Sequence, residues 1–245
     1  MKKRIFITAI LLLAALAIFT GCISTSGGLG SVRGRGSMVS NTLNARDFTA
    51  IDISGGFEII YRQSNNFSVT LEIQDNLFEH VNYMVRGDTL RITTSRNFNT
   101  SRGNTPRLYI NAPYLNILDF AGAVTATNWD TLDADRISIS VAGAANIDID
   151  INAQRLDIST AGASSITLSG SADRLDISAA GASNVEAFNL ITQDALINIA
   201  GAGHVEVYAS STLDVTISGV GSVRYDGNPT LTRSTAGLGS IRPRN

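Results

Sequence analysis

At 245 residues, 44% hydrophobic and 16% charged, the chain has the make-up of a folded protein with one sizeable core and not of a disordered tail. Aromatic residues make up only 7% while glycine reaches 22, so the interior must be built from small and β-branched side chains, a composition that favours strands over helices. With a formal net charge of −2 and no basic face in the pattern, nucleic acid is excluded as an expected partner.

The chain opens M-K-K-R, then runs from Ile5 to Phe19 without a charge and reaches Phe19-Thr20-Gly21-Cys22. That apolar run is shorter than the roughly 20 residues a spanning helix needs, so residues 1–22 read as a secretory signal. The segment before Cys22 resembles a bacterial lipobox, with Phe19 where Leu is usual. A lone cysteine in an exported chain has no disulfide partner, so Cys22 is the expected lipid attachment, holding the protein to a membrane through acyl chains whose methylenes contribute about 0.8 kcal/mol each. Ile23 replaces the Asp that commonly retains lipoproteins at the inner membrane, which makes an outer membrane the expected home. Loss of Lys2, Lys3 and Arg4 leaves no lysine and an excess of acid.

Residues 23–33, I-S-T-S-G-G-L-G-S-V-R, are rich in Ser and Gly and read as a flexible tether. From 34 to 113 the chain is strand-like but irregular. F-T-A-I-D-I-S-G-G-F-E-I-I-Y and F-S-V-T-L-E-I alternate, Asp75 to His80 fits one helical turn, and the stretch around Gly87-Asp88 reads as a hairpin. This part is expected to form a cap and wider first coils of one domain reaching to 245; a separate small β domain ending near Pro106 is the alternative.

From 114 onward the chain repeats itself. Aligned on an Ala-Gly-Ala signature, Gly122, Gly143, Gly162, Gly181, Gly201, Gly219 and Gly237 recur at intervals of 18 to 21 residues, the period of a solenoid whose turns bury their apolar faces only by stacking. Four residues before each glycine stand Leu118, Ile139, Ile158, Ile177, Ile197, Val215 and Arg233, and apolar pairs such as Ile147/Ile149 and Ile166/Leu168 follow it at +4 and +6. Spacing by two places these side chains on one face of a strand. No 3.6-residue stripe appears, so the expected fold is all-β, a parallel β-helix with its glycines at sharp corners, spanning roughly 29 Å over seven registers about 4.8 Å apart. Small residues flank each glycine, on this reading, because a bulkier side chain would strike the next coil.

The order of motifs, G-R-G-S-M-V at 34–39, R-D-F-T-A-I-D-I-S-G-G-F-E-I at 46–59, V-T-L-E-I-Q-D-N-L-F-E-H-V at 69–81 and then the A-G-A corners, resembles the putative auto-transporter adhesin head GIN domain family over roughly 34–245. The resemblance implies a right-handed β-helix, exported and often lipid-anchored in bacterial envelopes. It supplies no catalytic or binding residues.

Chemistry is sparse. Gly201-Ala202-Gly203, Gly219-Val220-Gly221 and Gly237-Leu238-Gly239 begin like a dinucleotide fingerprint but carry no third glycine and open no helix. Asn146, Ser165, Asn184, His204, Ser222 and Ser240, three past each corner, are expected to stack as a hydrogen-bonded polar ladder. His204 belongs to that ladder, and His80 is too far away in sequence to suggest a metal pair. Asp157, Asp176 and Asp214 form an acidic column whose members stand near arginines, as in Arg155/Asp157 and Arg174/Asp176, so solvated ion pairs are expected. Asp148 and Asp150 alternate to one side and are candidates, with that column, for contact with a ligand or with Ca²⁺, although no calcium loop or nonapeptide is present. No other cofactor, no metal site and no catalytic residue are indicated.

The function expected is that of a non-enzymatic, lipid-anchored envelope protein whose β-helical face binds a polysaccharide or an envelope or host protein. A carbohydrate-active enzyme on the same fold would need a sheltered carboxylate pair. A structural spacer with no small ligand is the third reading. Oligomeric state has no signature in the sequence.

Overall fold

A computed structural model describes residues 30–101 and 103–244, of which Ser31 onward forms one compact unit. The lipobox and most of the tether lie outside the described residues. The fold is a right-handed β-solenoid of about 6 turns, 73% strand and 2% helix.

The irregular first third supplies β1 (Val32–Arg33), β2 (Met38–Leu43), β3 (Ala50–Gln63), β4 (Ser68–Gln74), the single-turn helix α1 (Asp75–Phe78), β5 (Val81–Arg86), β6 (Thr89–Thr94), β7 (Phe98–Asn99) and β8 (Arg107–Ala112). Strands β5 and β6 form the hairpin expected around Gly87-Asp88, and α1 occupies the predicted helical turn. Strand β2 pairs antiparallel with β4, and β4 antiparallel with β8. These strands cover the N-terminal end of the stack, backed by the Phe48 and Phe67 rings 5.1 Å apart. From β8 inward the coils pair in parallel, the β5–β6 hairpin apart: β3 pairs with β8 on one side and with β9 (Ile117–Ala126) on the other.

The regular coils continue through β10 (Leu132–Gly181), β11 (Asn184–Gly201), β12 (His204–Tyr208), β13 (Thr212–Gly219), β14 (Ser222–Asp226), β15 (Thr230–Gly237) and β16 (Ser240–Pro243). Strand β10 is 50 residues long because the chain keeps extended hydrogen bonding as it turns at its glycines. The expected columns are real. Leu118, Ile139, Ile158, Ile177, Ile197 and Val215 are buried in register, as are Ile147, Ile166, Val185, Val205 and Val223 on the second side. Each such side chain contributes about 1.5–3 kcal/mol by leaving water.

The corner stack begins earlier than the Ala-Gly-Ala signature indicates. Gly55 pairs in register with Gly122 and shares its positive φ, at 139°. The coil before it, built from β6 and β8, replaces the one-glycine corner with residues 95–106, since β3 pairs with β6 up to Thr93 and with β8 from Arg107. The segment is pinned at its start by Ser95 N–H donating to the His80 carbonyl at 2.8 Å. Val32 and Gly34 then donate to the Asn97 and Asn99 carbonyls at 2.8 and 3.0 Å, and Glu58 N–H to the Pro106 carbonyl at 2.9 Å.

Sterics at the corner differ from the sequence-based expectation in one respect. A Cβ on Gly162 would stand 2.3 Å from the Gly143 carbonyl oxygen, at a φ of 134° that side chains rarely adopt. The flanking alanines, however, point outward into solvent, and their column is filled at the C-terminal end by Val220 and Leu238, 61% and 86% exposed. Only the glycine is required; its neighbours are small without being squeezed.

The C-terminal end lacks a cap among the described residues. Strand β15 pairs with β13 and β16 with β14, and β15 is exposed along nearly its whole length. Arg233 sits in the inward column opposite Val215 but lies in solvent, with no further coil stacked on it among the described residues.

Gly162→Val is expected to lower stability by more than about 3 kcal/mol, whereas Ala163→Val stays within about 0.5 kcal/mol. Urea denaturation of the full chain measures both, and equal losses would mean that the corner is not sterically closed.

Candidate functional site

The outward residues of the coils were the candidates, and register sorts them into separate groups. Asp176 pairs with Leu196, and Leu196 with Asp214. The acidic column is therefore interrupted by an apolar residue, and Asp214 stands apart from the other two. Arginines bind Asp157 and Asp176 across coils as well as along the strand. Arg155 reaches Asp157 at 2.8 Å and Asp176 at 3.6 Å, and Arg136 meets Asp157 from a neighbouring coil at 2.7 Å. The expected Arg174/Asp176 pair is not formed; the partner of Asp176 is Arg155. Burial works against ionisation of Asp157, but hydrogen bonds and charge from Arg155 and Arg136 outweigh it and hold the carboxyl below its usual range.

Asp148 and Asp150 do share an outward side, yet Asp150 is occupied. It accepts hydrogen bonds from Thr131 Oγ1 at 2.7 Å and from Ser169 Oγ at 2.9 Å, one residue in each neighbouring coil. Among the described residues no three His, Cys, Asp or Glu side chains converge in a way that could hold a metal ion.

The column three past each corner is in register from Ser165 through Asn184, His204 and Ser222 to Ser240. Its hydrogen bonding differs from the expected ladder. One bond runs up the stack, between His204 Nδ1 and Ser222 Oγ at 2.7 Å. Asn184 instead donates along its own strand to Glu186 Oε1 at 2.9 Å, and His204 Nε2 lies 3.4 Å from Glu206. Asn146 pairs in register with Thr125.

Further polar contacts between coils lie elsewhere, on the short third side of the stack. Asn152 donates to Asp133 at 3.3 Å and accepts from Ser171 at 3.2 Å, Gln154 donates to Asp135 at 3.1 Å, and Gln193 to Asp173 at 3.1 Å. The signal was present in the sequence as acid and amide residues spaced by one coil length, but it fell outside the strand columns aligned on glycine.

A walled cleft adjoins the start of the column that holds Asn146. Residues 94–101 and 103–106 stand as a wall beside the corner ridge and create a cleft of about 710 Å³. Its floor is Gly122, Ala123, Ala144 and Ala163, its wall carries Phe98 and Pro106, and its rim carries Thr94, Asn97, Thr100, Thr105, Thr125 and Asn146.

Residues 47–229 match the family described as putative auto-transporter adhesin, head GIN domain. The chain belongs to this family. Among solved structures, one described as a putative adhesin from Bacteroides fragilis is 24% identical with a TM-score of 0.81, the match covering 87% of this chain and 100% of that one. Another, described as a putative lipid binding protein from Parabacteroides distasonis, is 22% identical with a TM-score of 0.68, covering 88% and 100%. A putative adhesin from Parabacteroides merdae is 18% identical with a TM-score of 0.62, covering 88% and 99%. At such identities the likeness establishes the solenoid fold. Comparison with curated proteins finds no match. No helix among the described residues is long and apolar enough to cross a membrane.

The Asp157 cluster gives a pH test. A carboxyl depressed in the folded state stabilises fully above its unfolded value of about 3.9 and loses that contribution as pH falls through the folded value. Asp157→Asn should therefore melt below the parent protein at pH 7, by at most a few degrees for a partly exposed pair, with the gap closing below about pH 3.9. A gap that persists unchanged in acid would show that the Arg136–Asp157–Arg155 contacts do not stabilise through charge.

Proposed function

We propose that this head GIN protein is a non-enzymatic adhesion module, held to the bacterial envelope through an acylated Cys22, that binds a polymer or a protein with the outside of its solenoid. The observation that carries the reading is the organisation of the outer surface. Side chains recur there in register, one per coil at about 4.8 Å, on a scaffold whose corners allow little movement, which suits a repeating or extended partner. A hydrolase would require a carboxyl raised into the neutral range inside a cleft. Here the Asp157 carboxyl is shifted the other way by arginines, and no acid is described among the side chains lining the 710 Å³ cleft beside the corner ridge. An outer-membrane location rests on the lipobox and on Ile23, and the tether at 23–33 would give the head its reach.

Two measurements test this together. Radiolabelled palmitate should enter the full chain expressed in a bacterial host and be lost in Cys22→Ser. The detergent-solubilised full chain should be selectively retained on an array of envelope and host polysaccharides and matrix proteins. Retention on no surface would remove the adhesion reading in favour of a structural role within the envelope.

A further inference from the structure

The two ends of the stack differ. At the N-terminal end the core is closed by α1 and the antiparallel strands, with Leu77 and Phe48 fully buried. At the C-terminal end β15 pairs only with β13, and β16 only with β14, among the described residues. One edge of the last coil is therefore open. Thr230 N–H donates to the Ser211 carbonyl at 2.8 Å and Leu238 N–H to the Gly219 carbonyl at 2.9 Å, both into the preceding coil. Main-chain groups point alternately to the two sides of a strand, and β15 keeps its register with β13 from Thr230 to Gly237, so those of Leu231, Arg233 and Thr235 face the open side. An unpaired row of this kind is a template for a further strand. On β16 the open-side residues are Ile241 and Pro243, and the proline has no N–H to offer. Strand β15 is thus the edge that can be extended.

Charge selects what an added strand carries. From Gly227 to Asn245 the sequence holds Arg233, Arg242 and Arg244 and no acidic residue. Deeper in the stack the coils answer their arginines: Arg107 lies between Glu58 and Glu72, Arg136 and Arg155 meet Asp157, and Arg224 meets Glu206 at 2.9 Å. Arg174, which forms no ion pair, still stands in register with Asp194. Arg244 is held by Asp226 at 3.4 Å and against the Phe188 ring. Arg233 and Arg242 have no carboxylate partner among the described residues, and Arg242 stands in register with another arginine, Arg224. At the N-terminal end unpaired arginines stand beside acids, Arg46 next to Asp47 and Arg86 two residues before Asp88, so no such one-sided charge arises there. A second copy docked end to end through this coil would set arginines against their like, which opposes association. An acidic strand from a different polypeptide satisfies both the charge and the main-chain row. It would also cover Leu231, only partly buried, beside the exposed corner residues Val220 and Leu238.

We propose that β15 is the docking edge for an extended acidic segment of a partner polypeptide, which adds a strand to the last coil and sets a carboxylate against Arg233. The edge lies at the opposite end of the stack from β1, where the chain enters the head. The inference rests on the adhesion reading above and narrows it to a polypeptide partner at one end of the solenoid.

The test uses the full chain in detergent micelles and two fluorescent peptides. One is the protein's own 230–237 sequence, T-L-T-R-S-T-A-G, and the other is the same peptide carrying Arg233→Glu; polygalacturonate serves as an acidic polymer that is not a polypeptide. The glutamate peptide is expected to bind at least about tenfold more tightly than the arginine peptide and to slow hydrogen exchange at the amides of Leu231, Arg233 and Thr235. Arg233→Glu in the protein should reverse that preference. Thr235→Pro, which removes an open-side N–H and no bond to β13, should weaken the glutamate peptide by a similar factor. Thermal unfolding reports whether each variant folds, and Arg233→Glu, at an exposed side chain, carries the test if Thr235→Pro does not. Equal affinity for the two peptides, binding without slowed exchange at those amides, or equal binding of polygalacturonate overturns the proposal. So does self-association of the parent chain that Thr235→Pro abolishes. If the parent and Thr235→Pro are retained alike on the polysaccharide and protein array and the peptides are not distinguished, the edge site fails and the adhesion reading stands; if the peptides are distinguished but the array retains nothing, the adhesion reading fails and the edge stands.

Discussion

The architecture depends on the approach of one backbone to the next at the glycine corner. With each carbonyl oxygen lying 2.2–2.7 Å from where the following glycine's Cβ would be, the corner cannot accept a side chain without moving two coils apart. Because the same contact recurs from Gly55 to Gly237, the coils are locked in register there, and the register carries every column on both sides. A bulge such as the one between Thr167 and Ser169 is absorbed away from the corner, where coil length varies without disturbing the stack.

Inside the corner, volume is traded across the coil. Where the residue two before the glycine is Phe120 or Val141, the facing column holds Val124 and Ala145; where it is Ile199 or Ile217, that column holds glycine. A Cβ on Gly221 would lie 2.8 Å from Ile199 Cγ2 and one on Gly239 2.6 Å from Ile217 Cγ2. This explains the truncated G-x-G pattern without a phosphate: the second glycine makes room for an isoleucine methyl. Midway along the stack the pairing turns polar, with Thr160 Oγ1 and Ser183 Oγ 2.7 Å apart, a buried hydrogen bond satisfying both hydroxyls.

The same register that builds the core disposes of the surface charge. Arginines and aspartates meet across coils because columns place them there, and the result is neutralisation, with Asp157 held firmly ionised. Chemistry that needs a perturbed acid has no foothold in this cluster. Where the repeat is broken near the N-terminal end, residues 95–101 and 103–106 replace a corner and convert an open ridge into a walled cleft.

The sequence by itself determined the solenoid: the period of the glycines, the two inward columns and the family all follow from local spacing, since a strand exposes alternate residues and a stack repeats them. It also located His204 and Asp157 on the outer face. Which outward side chains meet was decided only by tertiary structure, because coils of 18 to 21 residues shift register in steps that a list of spacings does not resolve. Thus Asp214 is separated from Asp176 by Leu196, Arg155 takes the partner expected for Arg174, and Asp150 is closed between Thr131 and Ser169. Gly55 joined the corner stack without the Ala-Gly-Ala signature because only backbone conformation and contact are selected there. The cleft was invisible for a related reason: Thr94 and Asn97 stand about fifty residues before Ala144 and Asn146 in the chain, and only the stacking of the coils brings them to the same surface.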